Sequence, residues 1–185
     1  MATDEIGSLR EELAQLRAQV RELSDRQAIR DCLHRFSKGL DRLDKDLIVS
    51  AFHPDAVDHH GAFFGGREEF AAWVDNLLGN EWDSSLHLLD VNNVRIDGDT
   101  ARSECYVLFS QRRIDGEGID FGGARYLDEL TRVDGEWRIS KRKLVIDWTG
   151  RAPAMVFADI PEYQTGTRGH EDPSYHPLVL TPPGS

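Results

Sequence analysis

The sequence predicts an α+β fold, in which helices pack on one face of a curved and mostly antiparallel sheet. Two patterns carry this prediction. Apolar residues recur at helical spacing as far as Leu78, and from about Ser85 to Trp148 they alternate with polar residues, as they do in strands. The dipeptides Asp97-Gly98 and Asp134-Gly135 separate alternating segments and favour tight antiparallel turns. Helices followed by a meander of strands are typical of a sheet with its helices on one side.

Composition limits what the chain can be and what it can bind. Its 185 residues are 39% hydrophobic and 30% charged, which suits one globular domain with appendages. The net charge of -11 opposes binding to a nucleic-acid backbone, and no apolar run approaches the roughly 20 residues of a membrane span. We therefore expect a cytoplasmic protein with neither nucleic acid nor membrane as a partner. Cys32 and Cys105 lack metal-type spacing and are interpreted as buried, reduced thiols.

Residues 1–23 are predicted to form a helix with a heptad seam. Its apolar residues alternate spacings of three and four, which places at one seam position Ile6, Leu13 and Val20, and at the other Leu9, Leu16 and Leu23. β-Branched residues at the first position with leucine at the second favour a parallel dimer. The seam is short, however, and a helix that packs on its own domain would show the same pattern. Both interpretations stay open at the level of sequence.

Residues 24–149 are predicted to form the globular domain. Ser24 and Gln27 have capping-box spacing, so a second helix is expected to begin there, with an apolar stripe of Ile29, Leu33, Phe36, Leu40 and Leu43. Asp44 is expected to cap a short third helix that ends at Pro54. A strand at Ala56–His60 and a further helix follow, the helix carrying Phe70, Trp73, Val74, Leu77 and Leu78.

Four long strands complete the predicted domain. They span Leu86–Ile96, Thr100–Arg113, Ile119–Val133 and Glu136–Trp148. Residues 150–185 are rich in Pro, Gly and His and are predicted to form an extended arm.

Three strings in this order resemble the SnoaL-like branch of the nuclear transport factor 2-like superfamily. They are GLDRLDKDLIVSAFHPDAVDHHGAFFGG, HLLDVNNVRIDGDTARSECY and GGARYLDELTRVDGEWRISKRKLVIDW, and the resemblance covers roughly residues 25–149. It implies a cone-shaped α+β barrel with a deep pocket between the sheet and the helices. Relatives include scytalone dehydratase, bile acid dehydratase and polyketide cyclase types, dehydrohalogenases, isomerases, and members with no known activity.

The same resemblance implies two catalytic residues. Several lyases of this kind use an aspartate near the end of the first domain helix and a histidine at the start of a central strand, and these fall on Asp41 and His87. Helical geometry places Asp41 about 120° from Ile29, at the border of the apolar stripe. A boundary carboxylate is also typical of a helix end or an ion pair, and a lone strand histidine is often a core residue. A predicted Asp41–His87 hydrogen bond of about 2.6–3.5 Å separates these interpretations.

Further residues are predicted to bind substrate. His60 lies on the opposite face of its strand from His59, and Tyr106, Tyr126 and Arg142 lie on strands where a substrate carbonyl could be met. The tyrosines could equally be core residues, and Arg142 an ion-pair partner. Asp58 and His60 share a face of their strand, but the sequence offers no clear third ligand, so no metal is expected. The sequence has no phosphate-binding loop, so no nucleotide cofactor is expected either.

These observations favour a cofactor-independent lyase or isomerase, of dehydratase or cyclase type, that acts on a hydrophobic cyclic molecule through Asp-His proton abstraction. The substrate class rests on the resemblance alone. A non-catalytic binding or scaffold protein of the same fold, or the small subunit of a ring-hydroxylating dioxygenase, are the alternatives. A homo-oligomer, either dimer or trimer, is expected because one sheet face and the heptad seam would otherwise expose apolar residues.

Overall fold

The computed structural model describes residues 2–154 and 163–179. Its elements in chain order are α1 (Ala2–Arg42), α2 (Lys45–Ala51), β1 (Phe52–His60), β2 (Phe63–Gly65), α3 (Arg67–Glu81), β3 (Trp82–Asp97), β4 (Thr100–Arg113), β5 (Ile119–Val133) and β6 (Glu136–Ala152). Two short 3₁₀ turns follow at Gly169–Glu171 and Pro173–Tyr175. Across these ranges, none of the helices combines the length and the apolar character that a membrane crossing requires.

The described strands form one sheet of six, in the order β2-β1-β6-β5-β4-β3. All neighbouring strands are antiparallel except β1 and β6, which are parallel. The α+β class is thus confirmed, and the sheet is curved but is not closed into a barrel. The turn predicted at Asp134-Gly135 joins β5 to β6. Both residues have a positive φ, 52° and 83°, as a tight type I′ turn requires.

The core lies between the inner face of this sheet and the three helices. An aromatic cluster forms its centre, with the ring of Phe36 in contact with those of Phe52, Phe70 and Tyr126 at centroid distances of 5.4–5.8 Å. The predicted apolar stripe of α1 is buried here from Ile29 to Leu40. Cys32 and Cys105 are free and buried, and burial raises the pKa of their thiols to about 11 and about 12.

Helix α1 is continuous over 41 residues, so the predicted helix start at Ser24 is wrong. The side chain of Gln27 donates to Asp31 at 2.8 Å instead of closing a capping box with Ser24. No glycine or proline lies between Ser8 and Lys38 to interrupt the helix, so a serine that would cap a helix elsewhere is tolerated inside this one. The seam residues are all exposed, which excludes packing of this half of α1 on the described part of its own domain.

Other boundaries differ from the predictions by a few residues. Asp44 caps α2 as predicted and accepts a hydrogen bond from the Leu47 N–H at 3.0 Å. Helix α2 ends at Ala51, ahead of Pro54, because β1 already begins at Phe52. Strand β6 continues to Ala152, beyond the predicted domain end at residue 149, because its last residues pair with the start of β5 at Ile119.

The predicted arm is anchored where it is described. Residues 163–179 lie against the end of the domain, where the Tyr175 hydroxyl donates to Asp44 at 2.8 Å and Asp172 pairs with Arg42 at 3.2 Å. Residues 155–162 and 180–185, which the arm prediction also covers, lie outside the described residues.

Candidate active site

The end of α1 carries Asp41 into the domain. Gly39 permits the sharp approach of α2, since a Cβ there would lie 2.8 Å from the Ile48 side chain. Leu43 then ends the helix in the left-handed region with φ 51°, and the Asp44 N–H donates back to the Gly39 carbonyl at 2.9 Å. This tight corner leaves Asp41, the second-to-last residue of α1, only 7% exposed and facing β3.

His87 meets Asp41 through two separate atoms. Its Nδ1 lies 2.7 Å from Asp41 Oδ1, and its backbone N–H donates to Asp41 Oδ2 at 3.0 Å. The predicted contact between the two residues is therefore present. Ser37, one turn earlier on α1, donates its hydroxyl to the His87 carbonyl at 3.0 Å, so both polar groups of the His87 backbone are held by the helix.

This geometry decides which imidazole nitrogen is basic. An ionised carboxylate can only accept hydrogen bonds, so Nδ1 of His87 is the protonated nitrogen and Nε2 of the neutral ring carries the lone pair. Asp41 also lies where it can stabilise the imidazolium that proton uptake would create. The pair can thus accept a proton at Nε2, with the ring orientation already fixed by Asp41.

His87 forms part of the wall of a mostly apolar cavity of about 140 Å³. The cavity lies between α1, α3 and the inner face of the sheet. Its remaining walls come from fourteen side chains, namely Leu40, His60, Trp73, Val74, Leu77, Leu78, Trp82, Val107, Phe109, Gln111, Ala124, Tyr126, Leu144 and Ile146. The few polar groups among them, His60, Gln111 and Tyr126, are the ones that could orient a bound molecule.

His60 is the second histidine of this cavity. Its Nδ1 lies 3.6 Å from a carboxylate oxygen of Asp58, whose side chain is fully buried. Burial lowers the pKa of His60, and the neighbouring Asp58 opposes that effect only in part. His60 is therefore neutral at pH 7 and can donate or accept a hydrogen bond without carrying charge. His59 faces outward, as strand alternation predicts.

Of the other three residues predicted to bind substrate, one lies on the cavity wall and two do not. Tyr126 lines the cavity, and burial raises the pKa of its hydroxyl. Arg142 does not reach the cavity wall, because its fully buried guanidinium is held by Asp128 at 2.7 and 2.8 Å and stacks beneath the Tyr126 ring at 4.0 Å. Tyr106 lies on the outer face and is 51% exposed. Alternation explains this placement, since Cys105 on the same strand is the residue paired with the inward Tyr126.

Arg168, from the arm, is a neighbour of the site that the sequence does not reveal. Its guanidinium donates at 3.1–3.3 Å to the backbone carbonyls of Leu40, Asp41, Trp82 and Asp83 and to the Ser85 hydroxyl. It thereby ties the end of α1 to the start of β3, the two segments that carry the Asp41–His87 pair. A single arginine in a Gly- and Pro-rich segment gives no sequence signal of this role.

Gln111 is also absent from the predicted site, although it lies on the cavity wall. Strand alternation could have predicted this position, because Gln111 follows Val107 and Phe109 at every second residue on the same face of β4. No group of three His, Cys, Asp or Glu side chains in the described ranges is arranged to hold a metal ion.

Residues 21–143 match the profile of the SnoaL-like domain family. The chain belongs to this family. Its curated relatives include the uncharacterized proteins Rv2910c of Mycobacterium tuberculosis and Mb2934c of Mycobacterium bovis. Each is 33% identical over 130 residues, which cover 66% of this chain and 86% of the relative.

Two solved structures show the same fold. Hexachlorocyclohexane dehydrochlorinase LinA-type3 from Novosphingobium barchaimii is 23% identical with a TM-score of 0.65, over 75% of this chain and 97% of that one. A candidate scytalone dehydratase from Novosphingobium aromaticivorans is 19% identical with a TM-score of 0.65, over 72% of this chain and 91% of that one. The structural neighbours of this chain thus include one named as a dehydrochlorinase and one named as a candidate dehydratase.

Proposed function

We propose that this protein is a cofactor-independent lyase or isomerase, with His87 as the general base. Asp41 orients the His87 ring and stabilises its imidazolium form. The observation that carries the proposal is the 2.7 Å contact between them at the wall of an apolar cavity. A strand histidine that served only the core would need no buried carboxylate aligned with both its ring and its backbone. The dehydrochlorinase and dehydratase names of two structural neighbours support an elimination.

The size of the cavity supports a substrate with a single ring. An apolar cavity of about 150 Å³ in another protein holds one benzene molecule. The cavity beside His87 has about 140 Å³, nearly the same volume. One six-membered ring fits this space, whereas a fused polycyclic substrate would extend beyond it. The dehydrochlorinase neighbour is likewise named for a cyclohexane derivative.

The proposed chemistry starts with a proton on a ring carbon beside an electron-withdrawing group. Nε2 of His87 takes this proton, and the electrons of the broken C–H bond form a carbon–carbon double bond. The leaving group departs from the neighbouring carbon with its bonding pair, as halide or, after the imidazolium returns the proton, as water. Asp41 stabilises the imidazolium in between, and the neutral His60 and Tyr126 offer hydrogen bonds across the cavity. In an isomerase the imidazolium returns the proton to another carbon instead.

Turnover by variants tests the proposal. A panel of monocyclic β-hydroxy ketones and halogenated cyclohexanes is screened with the parent protein, by absorbance of the conjugated ketone and by halide release. His87→Ala is expected to lower kcat by about 10²–10⁴-fold, the usual contribution of a general base. Asp41→Asn keeps the shape of the side chain but removes its charge, so a steep loss is expected there too. The two losses should not add, because the residues act as one unit.

The matched control is His59→Ala, which removes an outward-facing histidine from β1 and should leave kcat unchanged. Melting curves of all variants separate lost activity from lost fold. Full turnover by a folded His87→Ala protein would exclude His87 as the base and favour a binding protein of the same fold.

A further inference from the structure

The seam of α1, defined here as Ile6, Leu9, Leu13, Leu16, Val20 and Leu23, is an uncovered apolar surface. Each of its side chains is 46–68% exposed. At about 100° per residue, the seam centre lies roughly 180° around the helix axis from the buried stripe between Ile29 and Leu40. The apolar face of the C-terminal half of this continuous helix therefore points toward the sheet, and the apolar face of its N-terminal half points in the opposite direction. A partner can therefore reach the seam without contact with the core.

The charges that flank the seam identify the partner as a second copy of this chain. In heptad terms, Glu5 and Glu12 precede the seam at g positions, and Arg10 and Arg17 follow it at e positions. In a parallel pair of helices, each g residue meets the e residue five positions later on the partner. Glu5 then faces Arg10 and Glu12 faces Arg17, and the two-fold axis repeats both pairs. All four contacts are attractive.

An antiparallel pair would bring like charges together. With the six seam layers aligned, e positions face e positions, so Arg10 meets Arg17 on both sides of the interface. The seam composition agrees with the parallel arrangement, since leucine fills one seam position throughout and Ile6 and Val20 are β-branched at the other.

We propose that residues 5–24 of two copies form a parallel, in-register, two-stranded coiled coil. A seam this short is marginal as an isolated peptide, because helix nucleation is costly. Here the buried half of α1 already fixes the helix, so the second copy adds apolar contacts to a helix that is already formed. The two-fold axis runs along the coil and places both domains, with their cavities, at the same end of it.

Charge reversal in the full-length chain tests this dimer. Light scattering should give the parent twice the mass of the Glu5→Arg/Glu12→Arg variant. In that variant all four flanking contacts become repulsive, which should raise the dissociation constant of the dimer by at least about tenfold. An equimolar mixture of that variant with Arg10→Glu/Arg17→Glu should regain the parental mass, because the mixed pair restores opposite charges. In an antiparallel dimer the Arg10–Arg17 contacts would be the same in Glu5→Arg/Glu12→Arg as in the parent, so fewer contacts would become repulsive and the loss of mass would be smaller.

Cross-linking checks orientation and register. In a parallel dimer Leu9 faces its own copy, so Leu9→Cys should form a disulfide-linked dimer under mild oxidation. Ala18→Cys, at an f position on the outer surface of the coil, is the matched control and should not cross-link. Every substituted side chain is exposed, so none of the substitutions disturbs the core of the domain. A cooperative melting curve from each variant checks that its domain is folded. A monomeric parent, an unchanged mass after charge reversal, or Leu9→Cys cross-linking no faster than Ala18→Cys would each overturn the proposal.

Discussion

At the scale of single residues, the site depends on one carboxylate that accepts from two parts of the same histidine. Asp41 holds the His87 ring through Oδ1 and the His87 backbone through Oδ2, so rotation of the ring and movement of β3 would both break a contact. Asn at position 41 could preserve one of these hydrogen bonds but supplies no negative charge. This difference is why Asp41→Asn separates the electrostatic role of the residue from its shape.

His60 leads to a prediction about stability and pH. Its pKa is lowered in the folded protein by burial, whereas in the unfolded chain it is about 6.5. As pH falls below about 6.5, the unfolded state takes up a proton that the folded state refuses, so the free energy of unfolding decreases. His60→Gln should flatten this decrease between about pH 6.5 and pH 5. Urea unfolding at several pH values measures it.

His59→Gln is the control for this experiment, because it removes an exposed histidine from the same strand. It should leave the pH dependence of the parent intact. An equally steep decrease in the His60→Gln protein would show that another group is responsible for the acid sensitivity.

The sequence could predict the contact between Asp41 and His87 but not its surroundings. Asp41 lies at the edge of a helical stripe and His87 on a strand beside it, and both positions follow from periodicity and family resemblance. Tyr106 was assigned to the site although the alternation of its strand turns it outward. Arg168 lies beyond such reasoning, since its contact with Leu40 spans 128 positions in the chain and depends on where the arm packs.

At the scale of secondary-structure elements, α1 serves two surfaces with one backbone. Periodicity predicted both of its apolar faces, and it failed only at Ser24, where the change of face was interpreted as a break between helices. A helix needs no break to change its apolar face, because any position around its axis can carry the next apolar residue. The strands were predicted more closely, since Gly98 and Gly135 both adopt the positive φ that tight turns favour.

The arm leads to a prediction about local order. Arg168→Ala removes the hydrogen bonds to the end of α1 and the start of β3, and should cost about 1–3 kcal/mol of stability through the carbonyls it leaves unpaired. Hydrogen exchange should accelerate in residues 163–179 and in the backbone near Trp82 and Ser85. Exchange in the middle of β5 should stay slow.

His176→Ala is the matched control within the arm, since His176 is exposed. It should leave exchange near Ser85 unchanged. If Arg168→Ala accelerates exchange only within the arm, then Arg168 anchors the arm without supporting the strand that carries His87.

At the scale of the whole molecule, two apolar surfaces lie on different sides of the domain. The seam projects from α1, and the outer face of the sheet exposes Leu86, Leu88, Tyr106, Leu108 and Trp148 at 49–57%. The inner face of the sheet packs against the helices, so these surfaces do not compete. A coiled-coil dimer through the seam would therefore leave the outer face of the sheet exposed, and none of the residues that line the cavity belongs to the seam.

The cavity volume leads to a prediction about ligand size that needs no assay of turnover. Monocyclic ketones and halogenated cyclohexanes should raise the melting temperature, whereas fused bicyclic analogues of similar polarity should not. A ligand present at 100 times its Kd stabilises the folded state by about 2.7 kcal/mol. For a chain of this size, that corresponds to a rise of roughly 5–10 °C. Differential scanning fluorimetry across a ring-size series measures it.

Ala124→Leu is designed to remove this response, because Ala124 lies on the cavity wall and the larger side chain occupies the space of the ring. Ala72→Leu adds the same atoms at an exposed position of α3 and should retain the full rise. Any strain from the added carbons lowers the melting temperature of Ala124→Leu without ligand, so only the ligand-induced rise is compared. A bicyclic compound that stabilises the parent as strongly as a monocyclic one, or an Ala124→Leu protein that keeps the full rise, would show that ligands bind elsewhere or that the cavity widens around them.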